Sequence, residues 1–328
     1  MINFGVIGTG KIVEQFLAAA ALVEDFSFTA IYSRTENSAK AFAEKHGAKE
    51  YYTNLEEMAK SKSIDAVYIA SPNALHCEQT ILFLNNKKHV LCEKALASNS
   101  REVKKMIEVA KKNQVFLMEA MKTTVTPNFT SIRENLYKIG KIRSYVGNYC
   151  QYSSRYDQYK EGIIQNAFKP ELSNGAIMDI GVYCIEPMVQ LFGKPNTIKA
   201  TGVMLESGVD GSGSISFGYK DMEAIVIYSK ITHSFCSSEI KGEKGSIIIG
   251  NMNNFNDVKI HYRSGDVEDI SIKQNKELMI YEIEEFIKSL KAREMESKVN
   301  SHEVSIKTME IIDEARSQIG VVYPADQK

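Results

Sequence analysis

The stretch INFGVIGTGKIV, residues 2–13, joins an apolar strand to a helix through two closely spaced glycines. Gly8 and Gly10 allow the backbone to turn tightly after the strand and to approach a ligand closely. The free N–H groups and the positive dipole end of the following helix then favour phosphate groups at this turn. The third position of the glycine fingerprint is Val13, which weakens the match.

Because the loop lies between the first strand and the first helix, it predicts a dinucleotide site, with a glycine turn that binds nothing as the alternative. The predicted cofactor contacts of the loop are Gly8, Thr9, Gly10, Lys11 and Ile12. At the end of the second strand, a carboxylate would bind the ribose of NAD and repel a 2′-phosphate. Ser33 and Arg34 stand there instead and can donate to phosphate oxygens. They favour NADP, while Glu36 leaves NAD possible and a surface arginine is the alternative for Arg34.

The first 120 residues alternate short apolar runs with helical patterns. The predicted strands are Ile2–Ile7, Phe28–Ser33, Ala66–Ala70, His89–Cys92 and Val115–Met118. Between two of them, Asn99 and Glu102 form an approximate capping box for a helix. This alternation is typical of a parallel sheet covered on both faces. We therefore predict an α/β fold class, with a Rossmann dinucleotide-binding domain over residues 1–120.

Beyond residue 121 the pattern changes to longer strand-like segments, with two helices near the end of the chain. The predicted strands are Ile142–Cys150, Thr197–Leu205, Ser214–Tyr219, Glu223–Lys230, Ser234–Ile240 and Val258–Tyr262. Strict alternation of apolar and polar residues is typical of half-exposed antiparallel strands. Residues 121–328 are thus predicted to form a substrate-binding and oligomerisation α+β domain, built on a large, mostly antiparallel open sheet. Its polar start, Thr123–Pro127, is predicted to be a hinge.

Composition excludes several classes of function. The 328 residues carry 40 basic and 41 acidic side chains, so the formal net charge of −1 predicts no binding to nucleic acid or to a membrane. No leader peptide is visible at the start. The five cysteines and six histidines show no ligand spacing, so we expect no metal and reduced thiols in a cytoplasmic protein.

Lys94 follows the apolar strand His89–Cys92 at its carboxyl end, where ligands bind in open α/β sheets. The segment Ser71-Pro72-Asn73 follows another strand in the same way. Several motifs, taken in order along the chain, resemble the glucose–fructose oxidoreductase/inositol dehydrogenase/MocA family. They are Gly8-Thr9-Gly10, Ser71-Pro72-Asn73 with His76, the pair Glu93-Lys94, MEAM (residues 118–121) and GAIMDIGVY (residues 175–183). That family consists of NAD(P)-dependent oxidoreductases, many of which act on sugars, polyols or related ring alcohols.

Within the family, the sequence looks most similar to the dihydrodiol dehydrogenase/D-xylose dehydrogenase branch. It departs from the family at Ala95, where a proline is usual, and at Lys122, where that branch often has an aromatic residue. The resemblance implies further cofactor contacts from Ser71, Pro72, Asn73, His76, Glu93 and Lys94. For His76 we favour support of the cofactor loop over proton chemistry.

The resemblance also implies three catalytic residues. Tyr183 would transfer the proton of the substrate oxygen, and the ammonium of Lys94 would favour its phenolate and orient that oxygen. Asp179 would bind a substrate hydroxyl or position Lys94. Each residue has a structural alternative: a surface charge for Lys94, a helix cap for Asp179 and a packing role for Tyr183. We also expect residues before the aspartate motif to line the substrate pocket, unless they serve oligomer contacts: Arg155, Tyr156, Asn166 and Phe168.

The predicted function is an NADP-preferring dehydrogenase or reductase of a small polyhydroxylated or cyclic alcohol and its carbonyl partner. One alternative is a catalytically silent NAD(P)-binding regulator, and another is a glycosidase that uses tightly held NAD. A homodimer through the second sheet is expected if its open face carries apolar side chains such as Ile215, Phe217 and Tyr219.

Overall fold

The computed structural model describes residues 1–327, and its first sheet has six parallel strands. The strands are β1 (Ile2–Ile7), β2 (Phe26–Tyr32), β3 (Glu50–Tyr52), β4 (Ala66–Ile69), β5 (His89–Glu93) and β6 (Leu117–Ala120). Their spatial order is β3-β2-β1-β4-β5-β6. The order reverses between β1 and β4, which is where open sheets of this kind bind ligands. The predicted Rossmann architecture is confirmed.

Five helices connect the six strands. They are α1 (Lys11–Ala20), α2 (Glu36–His46), α3 (Leu55–Lys60), α4 (Asn73–Asn85) and α5 (Ser100–Asn113). The approximate capping box predicted for α5 is confirmed in a shifted form: the Glu102 N–H donates to Asn99 Oδ1 at 3.0 Å, and Glu102 Oε2 accepts from the Ser98 N–H, one residue before the cap, at 3.0 Å. Strand β3 was missed by the sequence analysis, because it has only three residues and lies at the sheet edge.

The chain divides into two compact units, Met1–Lys122 with Asn275–His302, and Thr123–Gln274 with Glu303 onward. The sequence analysis had placed Asn275–His302 in the second domain. Its helix α9 (Ile280–Lys291) instead packs into the core of the first unit. The Phe286 ring lies 5.5 Å from the Phe4 ring and 5.1 Å from the Phe116 ring, centre to centre. The apolar face of α9 covers part of the first sheet, although the helix comes late in the chain.

The second unit contains a sheet of eight strands. They are β7 (Ile142–Cys150), β8 (Thr197–Met204), β9 (Asp210–Gly218), β10 (Glu223–Ser229), β11 (Ser238–Gly242), β12 (Gly245–Asn251), β13 (Asn256–Tyr262) and β14 (Val267–Asp269). Their order is β14-β13-β12-β11-β7-β10-β9-β8, and β7 with β10 is the parallel pair in an otherwise antiparallel sheet. The mostly antiparallel second sheet is therefore confirmed, although β12 and β14 were not predicted.

Four further helices accompany this sheet: α6 (Pro127–Asn135), α7 (Tyr156–Lys160), α8 (Val182–Phe192) and α10 (His302–Ile319). The predicted hinge, Thr123–Pro127, begins at the boundary between the two units, and its role as a hinge stays a prediction. A 3₁₀ turn occupies Lys122–Val125, and the Thr126 hydroxyl accepts from the Phe129 N–H to cap α6. The segment Pro170–Phe192 is long and apolar enough to cross a membrane, but its most apolar part is mostly buried in the protein.

The residues named as examples of apolar side chains on the open face of the second sheet do not lie on that face. Ile215 and Phe217 are buried, with 0% and 1% of their surfaces exposed, because β9 turns them toward the covered side. Tyr219 lies beyond the end of β9, is half-buried, and donates its hydroxyl to the Gly193 carbonyl at 3.0 Å. The exposed apolar residues of this sheet are on neighbouring strands instead, among them Val203 and Ile227.

Candidate active site

The glycine loop has the backbone geometry of a phosphate site. Gly8 has a φ of +113°, and a Cβ atom placed there would lie 3.0 Å from the Ala70 carbonyl oxygen. A Cβ on Gly10 would meet no atom of the described residues within 4 Å, so a ligand has room there. Within residues 1–327, no side chain caps the first turn of α1, which begins at Lys11. This loop therefore fits the pyrophosphate of a dinucleotide, with a helix dipole directed at it.

The end of β2 presents a hydroxyl and a guanidinium. The Ser33 N–H donates to the Tyr52 carbonyl at 3.1 Å, and the Thr35 hydroxyl caps α2 by accepting from the Ser38 N–H. Arg34 lies between these two fixed points, and its side chain is exposed. Its backbone is therefore held in place while its guanidinium can reach a ligand.

His76, in the first turn of α4, supports two loops at the carboxyl edge of the sheet. Its Nε2 lies 2.8 Å from the Ser71 carbonyl and its Nδ1 lies 3.0 Å from the Ala95 carbonyl. Burial lowers the pKa of His76, although the carbonyl groups around it oppose that shift. Ser71 also donates its hydroxyl to Gln79 Oε1 at 2.7 Å. The buried ring thus links the segment after β4 to the segment that carries Lys94.

Lys94 stands directly after β5, beside a buried carboxylate. The Tyr68 hydroxyl donates to Glu93 Oε1 at 2.6 Å, and the Lys94 N–H donates to Glu93 Oε2 at 3.2 Å. The Lys94–Ala95 peptide bond is cis. Next along the chain, the Leu96 N–H donates to Glu119 Oε1 at 2.9 Å. Glu119, the glutamate of the MEAM motif, therefore holds the backbone that follows Lys94. Two buried glutamates therefore fix the backbone on both sides of Lys94.

Lys122 and Glu282 complete a cluster of ionisable side chains around Glu93. Burial raises the pKa of the Glu93 carboxyl, and the ammonium groups of Lys94 and Lys122 oppose this shift. Burial also holds the pKa of Glu282 well above its ordinary value; the charge of Glu93 adds to the shift and Lys122 opposes it. Burial lowers the pKa of Lys122, against the attraction of Glu282 and Glu93. Two lysines thus lie beside two glutamates at the edge where the nicotinamide is expected.

In the second unit, a glycine and a buried aspartate start the helical segment of the GAIMDIGVY motif. Asp210 accepts the N–H groups of Ala176 and Ile177 at 3.1 and 2.7 Å. Burial raises the pKa of Asp210 to about 6, although these hydrogen bonds and Lys230 oppose the shift. Gly175 has a φ of +144°, and a Cβ there would lie 2.2 Å from Asp210 Oδ1. Any larger residue at position 175 would therefore displace the cap.

The capped segment carries Asp179 and Tyr183. A single π-helical turn, Ile177–Gly181, contains Asp179, and such turns often occur at functional sites. Tyr183 follows in the first turn of α8, and its ring meets the Tyr149 ring edge-on at 5.7 Å. Asp179 Oδ2 lies 2.5 Å from Lys230 Nζ. Both side chains of the motif, Asp179 and Tyr183, are partly exposed, as a contact with substrate requires.

The residues expected to line the substrate pocket do not form one group. Phe168 is buried, and its ring lies 5.9 Å from the ring of Tyr156 in α7. Arg155 and Asn166 are exposed. Phe168 also lies 5.3 Å from the ammonium of Lys230, which ties it to the Asp179 site.

Comparisons with known proteins assign the chain to a family. The model of the oxidoreductase family with an NAD-binding Rossmann fold matches residues 2–121, and the GFO/IDH/MocA C-terminal domain matches residues 137–248. The chain belongs to the GFO/IDH/MocA oxidoreductase family. The family resemblance inferred from the sequence motifs is thereby confirmed.

Relatives of this family member match it over the full length. It is 52% identical over 327 residues to scyllo-inositol 2-dehydrogenase (NADP(+)) IolU of Bacillus subtilis, and the match covers 100% of both chains. It is 31% identical over 338 residues to trans-1,2-dihydrobenzene-1,2-diol dehydrogenase of Danio rerio, covering 100% of this chain and 99% of the relative. The second match confirms the resemblance to the dihydrodiol dehydrogenase branch.

Solved structures share the fold of this GFO/IDH/MocA protein. KijD10, a 3-ketoreductase from Actinomadura kijaniata in complex with NADP and TDP-benzene, has a TM-score of 0.84 at 23% identity, covering 98% of this chain and 99% of that one. Levoglucosan dehydrogenase in complex with NADH has a TM-score of 0.85 at 19% identity, with the same coverage. At these identities the likeness supports the two-domain fold alone.

Sequence reasoning missed two charged residues of this family member, Lys230 and Glu282. Lys230 had a usable signal, since it follows an apolar strand directly, as Lys94 does. Glu282 had no such signal, because it lies on the buried face of α9, a helix that was assigned to the other domain.

Proposed function

We propose that this protein is an NADP-dependent dehydrogenase of inositol-type polyols, which also reduces the corresponding ketone. The observation that carries the proposal is Lys94, fixed at the carboxyl edge of a Rossmann sheet by Glu93 and the segment around it. The full-length similarity to a scyllo-inositol 2-dehydrogenase supports the choice of a cyclic polyol.

NADP is the proposed cofactor, with NAD as a weaker ligand. The exposed guanidinium of Arg34 and the hydroxyl of Ser33 stand where a carboxylate would select NAD. Guanidinium groups form strong, charge-assisted hydrogen bonds to phosphate oxygens. The loop of Gly8 to Ile12 would hold the pyrophosphate, and Ser71, Pro72 and Asn73 would line the site after β4.

When bound, the nicotinamide accepts or supplies the hydride. In the oxidation direction, the phenolate of Tyr183 takes the proton of the substrate hydroxyl, the electron pair of the O–H bond forms the carbonyl, and the hydrogen on carbon leaves as hydride. In reduction, the Tyr183 hydroxyl gives its proton to the oxygen that gains the electron pair. Lys94 stabilises the negative charge on either oxygen in both directions. Asp179 accepts a hydrogen bond from a neighbouring substrate hydroxyl and so fixes the ring.

A spectrophotometric assay tests this proposal. Purified protein is incubated with NADP⁺ or NAD⁺ and a panel that contains inositol isomers, linear polyols, sugars and a trans-dihydrobenzenediol, while the nicotinamide absorbance is followed. Turnover of an inositol with a preference for NADP⁺ supports the proposal. Cofactor binding without turnover of any alcohol, or of the ketones with NADPH, would favour the silent regulator instead.

We also propose a cytoplasmic homodimer formed through the open face of the second sheet. The proposed dimer is supported by exposed apolar side chains on this sheet. Val203 on β8 is 55% exposed, and Ile227 on β10 is 40% exposed. A patch of this kind is covered in many proteins by a second copy. Light scattering should give twice the monomer mass for the natural protein and a smaller mass for Ile227→Glu. A monomer at all concentrations would refute the dimer.

A further inference from the structure

Lys230 is the most deeply buried ammonium group among the residues around Asp179. It follows β10 directly, with only 3% of its side chain exposed, and its Nζ lies 2.5 Å from Asp179 Oδ2. The ring of Phe168 lies 5.3 Å from the same nitrogen, which adds a cation–π contact. A buried charge is costly unless it is paired, so this position requires the aspartate.

The two partners of this ion pair differ in their access to ligands. The side chain of Asp179 is 35% exposed, so a substrate hydroxyl can reach it. Lys230 is enclosed and cannot meet the substrate. Its direct contact with a ligand-accessible group is the ion pair with Asp179, so we expect its effect on the reaction to pass through Asp179.

The backbone at Lys230 is fixed by both neighbouring segments. Its N–H donates to the Gly211 carbonyl at 2.9 Å, and its carbonyl accepts from the Ser153 N–H at 2.8 Å. Gly211 adjoins Asp210, the carboxylate that caps the segment of Asp179, and Lys230 acts on that carboxylate electrostatically. The ammonium is thus placed by the sheet, while the aspartate is placed by the capped π-helical turn.

We propose that Lys230 is a positioning residue, which holds Asp179 as a carboxylate in the one orientation that receives the substrate hydroxyl. This inference rests on the proposed function, because it assumes that Asp179 binds the substrate. Removing the ammonium takes this partner from the Asp179 carboxylate, whereas arginine at the same position can still pair with it.

A double-mutant cycle tests the proposal. We expect Lys230→Met to lower kcat/KM for the polyol by about 10- to 100-fold, the loss typical of a hydrogen bond to a charged group. Lys230→Arg should restore a part of this loss. In the Asp179→Asn background, Lys230→Met should cause no further loss, because its effect passes through the aspartate.

Two control measurements accompany the cycle. The affinity for NADPH, measured by fluorescence, should stay the same in all of these variants. Thermal unfolding identifies any variant that fails to fold.

Two results would overturn the proposal. One is a Lys230→Met protein that is folded and turns over the polyol like the natural protein. The other is an effect of Lys230→Met that is as large in the Asp179→Asn background as in the natural protein.

If the natural protein turns over no polyol, the proposed function fails, and the inference is then judged by carboxyl ¹³C NMR. In that measurement, the titration midpoint of Asp179 should rise in Lys230→Met, and an unchanged midpoint would refute the role of Lys230. The titration must take account of Asp210 and Tyr228, which lie in the same cluster.

Discussion

The hydroxyl of Tyr68 donates a hydrogen bond to Glu93 Oε1 at 2.6 Å, one residue before Lys94. Both side chains are buried, so this bond supports a carboxyl group that is largely shielded from water. The Tyr68 ring is itself stacked on Phe16 at 3.7 Å, which fixes its direction. A core tyrosine thus links the packing of the first unit to the loop that carries the proposed catalytic lysine.

Tyr68→Phe should reduce stability by about 1.5–3 kcal/mol, because it leaves a buried carboxylate without its donor. Chemical denaturation followed by circular dichroism gives the free energy of unfolding. Tyr52→Phe is the matched control, since Tyr52 also donates to a glutamate, Glu50, but in a half-buried place. Equal losses in the two variants would contradict the special role of the Tyr68–Glu93 bond.

Glu282→Gln should change how stability depends on pH. The pKa of Glu282 is raised in the folded protein, so the native state keeps a proton that the unfolded chain loses above its ordinary pKa of 4.5. The native state therefore binds more protons in this window, and the stability of the natural protein falls as pH rises through it. Glutamine carries no such proton, so the stability of the variant should increase relative to that of the natural protein as pH rises above the ordinary glutamate pKa of 4.5.

The measurement for this prediction is the free energy of unfolding at several pH values. Glu284→Gln on the same helix is the control, because Glu284 is exposed. The same pH slope in the natural protein and in Glu282→Gln would show that Glu282 is ionised in the fold. Within the described residues neither carboxyl oxygen of Glu282 has a hydrogen-bond partner, which is consistent with a neutral carboxyl group.

Arg34→Ala should raise KM for NADP⁺ by about 10- to 100-fold, as expected for the loss of hydrogen bonds to a charged group. KM for NAD⁺ should stay nearly the same, because NAD⁺ has no 2′-phosphate. Lys40→Ala is the matched control, since it removes one positive charge from an exposed position of α2. A similar increase for both cofactors, or for both variants, would refute a direct contact between Arg34 and the 2′-phosphate.

Local sequence signals predicted the first unit well, because its chemistry is carried by neighbours in the chain. Gly8 and Gly10 adjoin the strand and helix that they connect, and Asn99 caps a helix that begins at the next residue. Lys94 could be found for the same reason, since the apolar strand before it defines its place. These features need only one strand–loop–helix unit.

The features that were missed depend on contacts between distant parts of the chain. Asp179 and Lys230 are 51 positions apart, and sheet pairing and the Asp210 cap bring them together. Glu282 reaches the Glu93 cluster only because α9 returns to the first sheet. Alternation alone did not say which face of β9 is covered, so the placement of Ile215 and Phe217 stayed a condition until the structure showed them buried.

The central claim is that Lys94 and Tyr183 together promote hydride transfer between NADP and a polyol carbon. NADPH that carries deuterium at the transferred position is incubated with the ketone of the best inositol substrate, and the product is analysed by mass spectrometry. The natural protein should place one deuterium on the carbinol carbon. Lys94→Met and Tyr183→Phe should each slow this transfer by at least about 100-fold while NADPH still binds, as expected for the loss of general acid–base catalysis.

Two matched control variants, Lys62→Met and Tyr137→Phe, change exposed positions and should transfer deuterium at the natural rate. Transfer at the natural rate by Lys94→Met or Tyr183→Phe, or no deuterium in the product of the natural protein, would contradict the claim.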